Sequence, residues 1–429
     1  MTAPTTASAA AALADRETLR LCTAGSVDDG KSTFVGRLLH DTKSVLADQL
    51  ASVERTSADR GFEGLDLSLL VDGLRAEREQ GITIDVAYRY FATDKRTFIL
   101  ADTPGHVQYT RNTVTGMSTS QVVVLLVDAR NGVVEQTVRH LTVAKLLGVR
   151  TVILAVNKID LVDYSQERFD EIKADFDAKA AELGIEEPHV VPISALKGDN
   201  VAELSEETPW YTGPTVLELL EIIPVQHGRA DDLDFRFHIQ VVLREHASDY
   251  RAYAGRVNAG SIAVGDEILA PYDRTTTVAG IDTSDGPVDT AHAGDSVALR
   301  LADEIDLTRG DLLAAGSRPE DVREFEATVV GLTEKELRAG QAAKLRIGTA
   351  FVRARIASVD RVLDIDGPAG DNTALEAVAL NEIAHVTIQT ADELPIEPYA
   401  ARGAVGDFLL VDQSSGNTLA AGLVGKRLR

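Results

Sequence analysis

Gly25-Ser26-Val27-Asp28-Asp29-Gly30-Lys31-Ser32-Thr33 is the most informative stretch of this 429-residue chain. It follows the pattern G-x-x-x-x-G-K-[ST], with Gly25, Gly30, Lys31 and Ser32 in the defining places. Two glycines let the backbone curl until successive N–H groups face one anion, and a following helix adds the positive end of its dipole. A lysine at position 31 is long enough to reach the β- and γ-phosphates of a nucleotide, and the Ser32 hydroxyl can ligate Mg²⁺. The flanks suit this reading. Residues 19–24 form a short, mostly apolar run fit for a buried strand, and Phe34, Val35, Leu38 and Leu39 then share one helical face.

Downstream, residues 41–85 form a long connection whose first part is polar and uninformative. Its end, Glu77-Arg78-Glu79-Gln80-Gly81-Ile82-Thr83-Ile84-Asp85, is more specific. A threonine after a glycine can bring its hydroxyl to Mg²⁺ and its N–H to a γ-phosphate, so that the triphosphate orders the loop and hydrolysis releases it. Ile82, Thr83 and Ile84 equally have the propensity of a strand start. Residues 97–101 then read as a buried strand delivering Asp102-Thr103-Pro104-Gly105-His106. Asp102 sits where a carboxylate can hold the water shell of Mg²⁺, and Gly105 can offer its N–H without a side-chain clash. His106 would face the attacking water.

Residues 122–127 make a further apolar strand, 136–147 a helix, and 151–156 a strand ending in Asn157-Lys158-Ile159-Asp160. Asp160 can accept hydrogen bonds from guanine N1–H and the 2-amino group. Adenine offers neither donor, so an unpaired buried carboxylate would reject ATP. Asn157 would brace neighbouring loops, and the stem of Lys158 would cover the base face. Residues 190–193 lead to Ser194-Ala195-Leu196, where a backbone N–H can bind guanine O6. The expected ligand is GTP with Mg²⁺. Alternating strands and helices imply an α/β domain with a mostly parallel twisted sheet and the ligand at the carboxyl ends of its strands.

Composition is that of an ordinary globular chain, 44% hydrophobic and 26% charged. No apolar run approaches the ~18 residues of a membrane helix. Residues 1–15 are rich in Ala and Thr without an early basic cluster, which reads as a disordered leader rather than a secretory signal. The single Cys22 falls in the first strand, as a buried thiol in a reducing cytoplasm. The nine histidines show no zinc-ligand spacing. A net charge of −24 opposes nonspecific nucleic-acid binding and favours charge-selected protein partners.

In this order and spacing the motifs resemble the translational-factor class of GTPases over essentially the whole chain. Within that class the chain is similar to the large, GTPase subunit of bacterial heterodimeric sulfate adenylyltransferase. The pointers are Val27-Asp28-Asp29-Gly30, the Glu77 segment continuing through Val86-Ala87-Tyr88-Arg89-Tyr90-Phe91, Gln108-Tyr109-Thr110-Arg111-Asn112, and Asp303-Glu304-Ile305-Asp306-Leu307-Thr308-Arg309-Gly310-Asp311-Leu312. The resemblance implies the nucleotide roles above for Lys31, Ser32, Thr83, Asp102, Gly105, Asn157, Asp160 and the Ser194 loop. It makes His106 the hydrolytic histidine, with Val27 and Ile82 as the apolar pair flanking it. Val107 departs from the acidic residue common in relatives. The implied partner is a small catalytic subunit that joins the AMP moiety of ATP to sulfate and releases pyrophosphate, coupled to GTP hydrolysis here. Some members continue into a kinase for adenylyl sulfate; this chain ends at Arg429, so that activity is not expected. A carrier of aminoacyl-tRNA is the competing expectation, and an orphan signalling GTPase a third.

After Pro224 the sequence becomes linker-like, and short strands punctuated by Gly255, Gly260 and Gly265 take over, the pattern of a small antiparallel barrel. A second boundary falls near Pro319. The expected organisation is a GTP-binding domain over residues 16–224 and β-barrels over 225–319 and 320–429. His238 and His385 read as structural. Residues 303–311 fit a functional acidic loop or a solvated turn equally well. No membrane or nucleic-acid surface is expected.

Overall fold

The computed structural model describes residues 16–59, 61, 65–71, 85–106, 109–225, 230, 232–245, 250–363, 377–400 and 405–426. The leader, Ile82, Thr83 and Val107 lie outside them. The chain divides into two compact units, Met1–Val225 and Gln226–Arg429.

The first unit is built on a six-stranded sheet of β1 (Thr18–Gly25), β2 (Ala87–Ala92), β3 (Thr97–Asp102), β4 (Val122–Asp128), β5 (Thr151–Asn157) and β6 (Glu187–Pro192), in the order β2-β3-β1-β4-β5-β6. All neighbours are parallel except β2, which pairs antiparallel with β3 at the edge. Every residue of β4 and β5 is buried, as expected where helices cover both faces. On one face, Phe34, Val35 and Leu38 of α1 (Lys31–Asp41) and Val216, Leu219 and Leu220 of α6 (Val216–Ile222) pack on Leu19, Leu21, Leu100, Val124 and Ile153. The remaining described helices are α2 (Ala47–Asp59), α3 (Thr110–Ser118), α4 (Glu135–Leu146) and α5 (Gln166–Leu183). α6 is closed by a capping box, in which the Thr215 hydroxyl accepts from the Glu218 N–H and the Glu218 carboxylate from the Thr215 N–H.

The register is what assembles the site. Thr23 of β1 lies beside Asp102 of β3, Gly25 beside Leu126 of β4, and Asp128 of β4 beside Asn157 of β5. Parallel strands in this register bring their carboxyl ends to one edge of the sheet, where the strand order reverses around β1.

The second unit holds two closed six-stranded antiparallel barrels. The first runs β10 (Glu267–Ala270), β15 (Leu312–Ala314), β7 (Arg236–Arg244), β8 (Arg251–Ala259), β14 (Ser296–Leu301) and β11 (Arg274–Thr283), which pairs back onto β10. The other joins β16 (Asp321–Gly331), β21 (Ile383–Pro395), β19 (Ala350–Leu363), β18 (Ala342–Ile347), β22 (Asp407–Val411) and β23 (Thr418–Val424). Short strands complete the unit: β9 (Ser261–Ala263) pairs with β13 (Thr290–His292), β12 (Gly286–Val288) with β11, and β17 (Leu337–Arg338) with β20 (Ala377–Val378). Each encloses its own apolar core, led by Phe237, Tyr253 and Leu299 in one and by Leu345, Ile356 and Ile388 in the other. The Arg236 guanidinium forks onto the Glu397 carboxylate at 2.7 and 3.0 Å and onto the Ser317 carbonyl at 2.8 Å, which ties the barrels together. His238 bonds Asn258, and burial holds its pKa below the ordinary imidazole value.

Candidate nucleotide-binding site

The loop after β1 is tied together by its own side chains. The Ser26 N–H donates to the Asp29 carboxylate at 2.5 Å, and Asp29 is 4% exposed, with burial raising its pKa. Gly30 has φ +86°, a left-handed conformation, and a Cβ there would meet Asn157 Nδ2 at 2.4 Å. Gly30 gives α1 no side-chain cap, and no acidic residue sits in its first turn, so the first N–H groups of α1 face the loop. Lys31 is buried; desolvation lowers its pKa against the opposing pull of Asp29, Asp102 and Asp28. Its Nζ donates to the carbonyls of Gly25 at 2.9 Å and Ser26 at 2.5 Å. Ser32 and Thr33 follow on the first turn, each partly exposed, and Val27 is 37% exposed at the loop's crest.

Asp102 ends β3 fully buried and accepts a hydrogen bond from Thr23 Oγ1 at 2.9 Å. The Thr103 hydroxyl donates to the Thr23 carbonyl at 2.6 Å, and Thr113 Oγ1 to the Pro104 carbonyl at 3.1 Å, which fixes the path toward Gly105. A Cβ on Gly105 would lie 2.2 Å from Lys31 Nζ and 2.7 Å from the Gly25 oxygen. Only glycine permits this approach of residues 102–106 to the phosphate loop. His106 follows, with its ring edge-on to Tyr109 at 6.3 Å.

Asn157, 2% exposed, joins three loops. Its Nδ2 donates to the Asp29 carbonyl at 2.7 Å, and its Oδ1 accepts from the Ala195 N–H at 3.0 Å. Lys158 adopts φ +60° and donates through Nζ to the Asp28 carbonyl at 2.5 Å. Ile159 is buried, and the Asp160 carboxylate stands 3.9 Å from Lys197 Nζ. Ser194 and Ala195 are buried while Leu196 is half exposed. The Gly198 N–H donates to the Ser194 carbonyl at 2.7 Å, closing the turn.

The structure therefore gathers the segments 25–33, 102–106, 157–160 and 194–196 at one sheet edge, with Asn157 and Lys158 reaching the phosphate loop. Residues 16–223 match the elongation factor Tu GTP binding domain family, and residues 324–425 match the GTP-eEF1A C-terminal domain-like family. The chain is 50% identical over 412 residues to the bifunctional enzyme CysN/CysC of Mycobacterium tuberculosis, covering 95% of this chain and 67% of that one. It is 46% identical over 417 residues to sulfate adenylyltransferase subunit 1 of Bacteroides fragilis, covering 96% and 87%. Against the Cellvibrio japonicus subunit 1 the identity is 44% over 418 residues, covering 96% and 88%. The chain belongs to the sulfate adenylyltransferase subunit 1 family. It has the fold of that family, a GTP-binding α/β domain followed by two β-barrels, and it binds a guanine nucleotide.

Two residues beside these loops, Asp128 and Arg37, escaped the sequence reading. Asp128 ends β4 with 2% exposure and bonds Arg130 through its N–H, Nε and Nη2 at 2.9, 2.9 and 2.6 Å. It also pairs with Lys158 Nζ at 3.0 Å. Burial would raise its pKa, but these donors hold the carboxyl well below the usual carboxylate range. Arg37 on α1 donates to the Ala195 carbonyl at 3.0 Å and to the Leu196 carbonyl, supporting the last loop from beneath. The signal for Asp128 was its position: a lone carboxylate directly after an apolar strand, as Asp102 is after β3.

Proposed function

We propose that this chain is the GTP-hydrolysing subunit of a sulfate adenylyltransferase, acting with a small catalytic subunit that forms adenylyl sulfate and pyrophosphate from ATP and sulfate. The observation that carries it is 44–46% identity over 96% of the chain to proteins named for that subunit, supported by the match of residues 16–223 to the elongation factor Tu GTP binding domain family. Guanine selection rests on Asp160 and the Ser194–Leu196 turn, and the Lys158 stem lies against the base. Because Asn157 holds the Ala195 N–H, the O6 donor falls to the next amide of the turn or requires that bond to open.

The phosphates lie along the 25–33 loop, within reach of Lys31 and the α1 N-terminus. Ser32, Thr83 and, through water, Asp102 are the hard oxygen donors that would hold Mg²⁺, which would supply neutralisation of the phosphate charge. Gly105 senses the γ-phosphate through its N–H, and the backbone that carries it is held by Thr23, Thr103 and Thr113. His106 orients a water for attack on the γ-phosphorus; the bond from phosphorus to the β,γ-bridging oxygen breaks, leaving GDP and phosphate. The family resemblance assigns Val27, with Ile82 from outside the described residues, to an apolar gate for the histidine. Loss of the γ-phosphate releases the Thr83 and Gly105 segments, and the partner responds to that change by its differential affinity for the two arrangements. The site of action is the cytoplasm. The aminoacyl-tRNA carrier reading is not favoured, because the matched relatives carry the sulfate-activating name.

The test is sulfate-dependent pyrophosphate release from ATP by this chain mixed with the catalytic subunit. Release stimulated by GTP supports the reading; release indifferent to GTP, or tight binding of charged tRNA by this chain alone, overturns it.

A further inference from the structure

The second barrel bears an outer face that neither barrel closure nor nucleotide binding requires. Strands β22, β18 and β19 are neighbours, and their register sets two rows across them: Val411–Lys344–Arg353 and Leu409–Arg346–Phe351. The alternating residues Leu345, Leu410 and Ala354 are buried in the core, so both rows point outward. Phe351 is 53% exposed and Leu409 36%. Lys344 Nζ lies 5.0 Å from the Phe351 ring centre.

Lys344 and Arg353 stand directly opposite one another, an arrangement in which like charges destabilise a strand pair. Residues 342–355 hold Lys344, Arg346, Arg353 and Arg355 and no carboxylate, and β22 adds the single exposed Asp407 at its end, in a chain of net charge −24. Among the described residues, none of these four forms an ion pair. A cationic face with two exposed apolar side chains is thus maintained at a cost to the barrel, against the charge balance of the whole molecule.

We infer that this face docks an acidic, partly apolar surface of the catalytic subunit, an inference that rests on the function proposed above. Arginine and aromatic residues are the types enriched at protein–protein interfaces, where they supply most of the binding energy. Nucleic acid fits less well: one exposed ring is no stacking platform, and the acidic remainder of the chain repels a polyanion. Carboxylates of the partner relieve the Lys344–Arg353 repulsion, and Phe351 with Leu409 supplies the apolar centre.

The experiment measures binding of the full chain, loaded with a nonhydrolysable GTP analogue, to the catalytic subunit from the same genome. The variants are Arg346→Glu combined with Arg353→Glu, and separately Phe351→Ala. Arg353→Glu turns a like-charged cross-strand pair into an opposite-charged one, so the melting temperature holds or rises; unchanged GTP affinity checks the first unit. The double variant is expected to bind ~30-fold or more weakly, with a shallower salt dependence, and Phe351→Ala ~10-fold more weakly. If the wild-type chain binds and the variants bind equally, the surface is wrong while the proposed function stands. If the wild-type chain does not bind, both fail. Charged tRNA or a second copy of this chain, bound by the wild type and lost in the variants, would assign the face to that occupant and overturn the inference.

Discussion

The two units treat buried polarity in opposite ways. In the sheet of the first unit, Asp102, Asp128, Asn157 and Ser194 sit at or just beyond strand ends on one edge, all nearly inaccessible, each holding hydrogen bonds within its own turn or to a neighbouring segment. In the barrels the buried polar side chains meet in local pairs instead: Arg236 of β7 bonds Glu397, and Thr328 of β16 lies opposite His385 of β21. Burying a polar group is costly unless it is satisfied, so a chain that concentrates the cost at one edge is organised around what binds there. The barrels instead keep their chemistry outside, on exposed strand faces.

That contrast can be broken from either side. The largest expected effect is His106→Ala, which should leave GTP affinity intact and slow hydrolysis by ~10²-fold or more in single-turnover assays; unimpaired turnover would move the water-orienting role elsewhere. In the barrels, Arg236→Met leaves Glu397 and the Ser317 carbonyl without their shared donor. It should lower stability by about 2–3 kcal/mol in denaturant unfolding while nucleotide affinity stays within error. Altered nucleotide binding would show that the division between the units is false.

A smaller effect should follow Asp128→Asn, which removes the charge paired with Lys158 Nζ. Guanine nucleotide affinity should drop ~10-fold, equally for GTP and GDP, if the lysine stem covers the base, as proposed, rather than meeting the γ-phosphate. A selective loss of GTP would contradict that placement. The last is a pH effect. His140 of α4 is 1% exposed and bonds Gln136 at 2.9 Å; burial, with Lys31 and Arg139 adding to it, holds its pKa down to about 3 from 6.5. Between those values the unfolded chain binds a proton that the folded chain does not. Stability therefore rises with pH across the window and is lost as pH falls from 6.5 toward 3. Replacing His140 with Gln should flatten the melting-temperature slope over pH 4.5–6.5; an unchanged slope would place the titrating group elsewhere.

The same contrast governs how much was legible beforehand. An unbroken apolar run fixed β4 to within a residue, and the helix expected over 136–147 lies at Glu135–Leu146. The phosphate loop and the turns after β3, β5 and β6 were readable because their chemistry demands particular residues at particular spacings. The antiparallel edge strand β2 was not read as such, since Tyr88 and Tyr90 stay exposed and offer no buried alternation. The barrels were readable as a class but poorly strand by strand. β11 carries three consecutive threonines after Arg274 that blur the in–out pattern, and β23 is rich in Ala and Gly. β18 was missed although Ala343, Leu345 and Ile347 alternate inward, because cations fill its outward positions. At the site, side-chain links across distant segments, such as Arg37 to Ala195, carry no local signal.

The central claim is that this edge of the sheet selects a guanine triphosphate, and titration calorimetry tests it directly. With Mg²⁺ present, GTP should bind one to one and ATP should give no saturable heat, while Asp160→Asn should exchange GTP for xanthosine triphosphate. No heat with GTP, or GTP selectivity unchanged in Asp160→Asn, would contradict it.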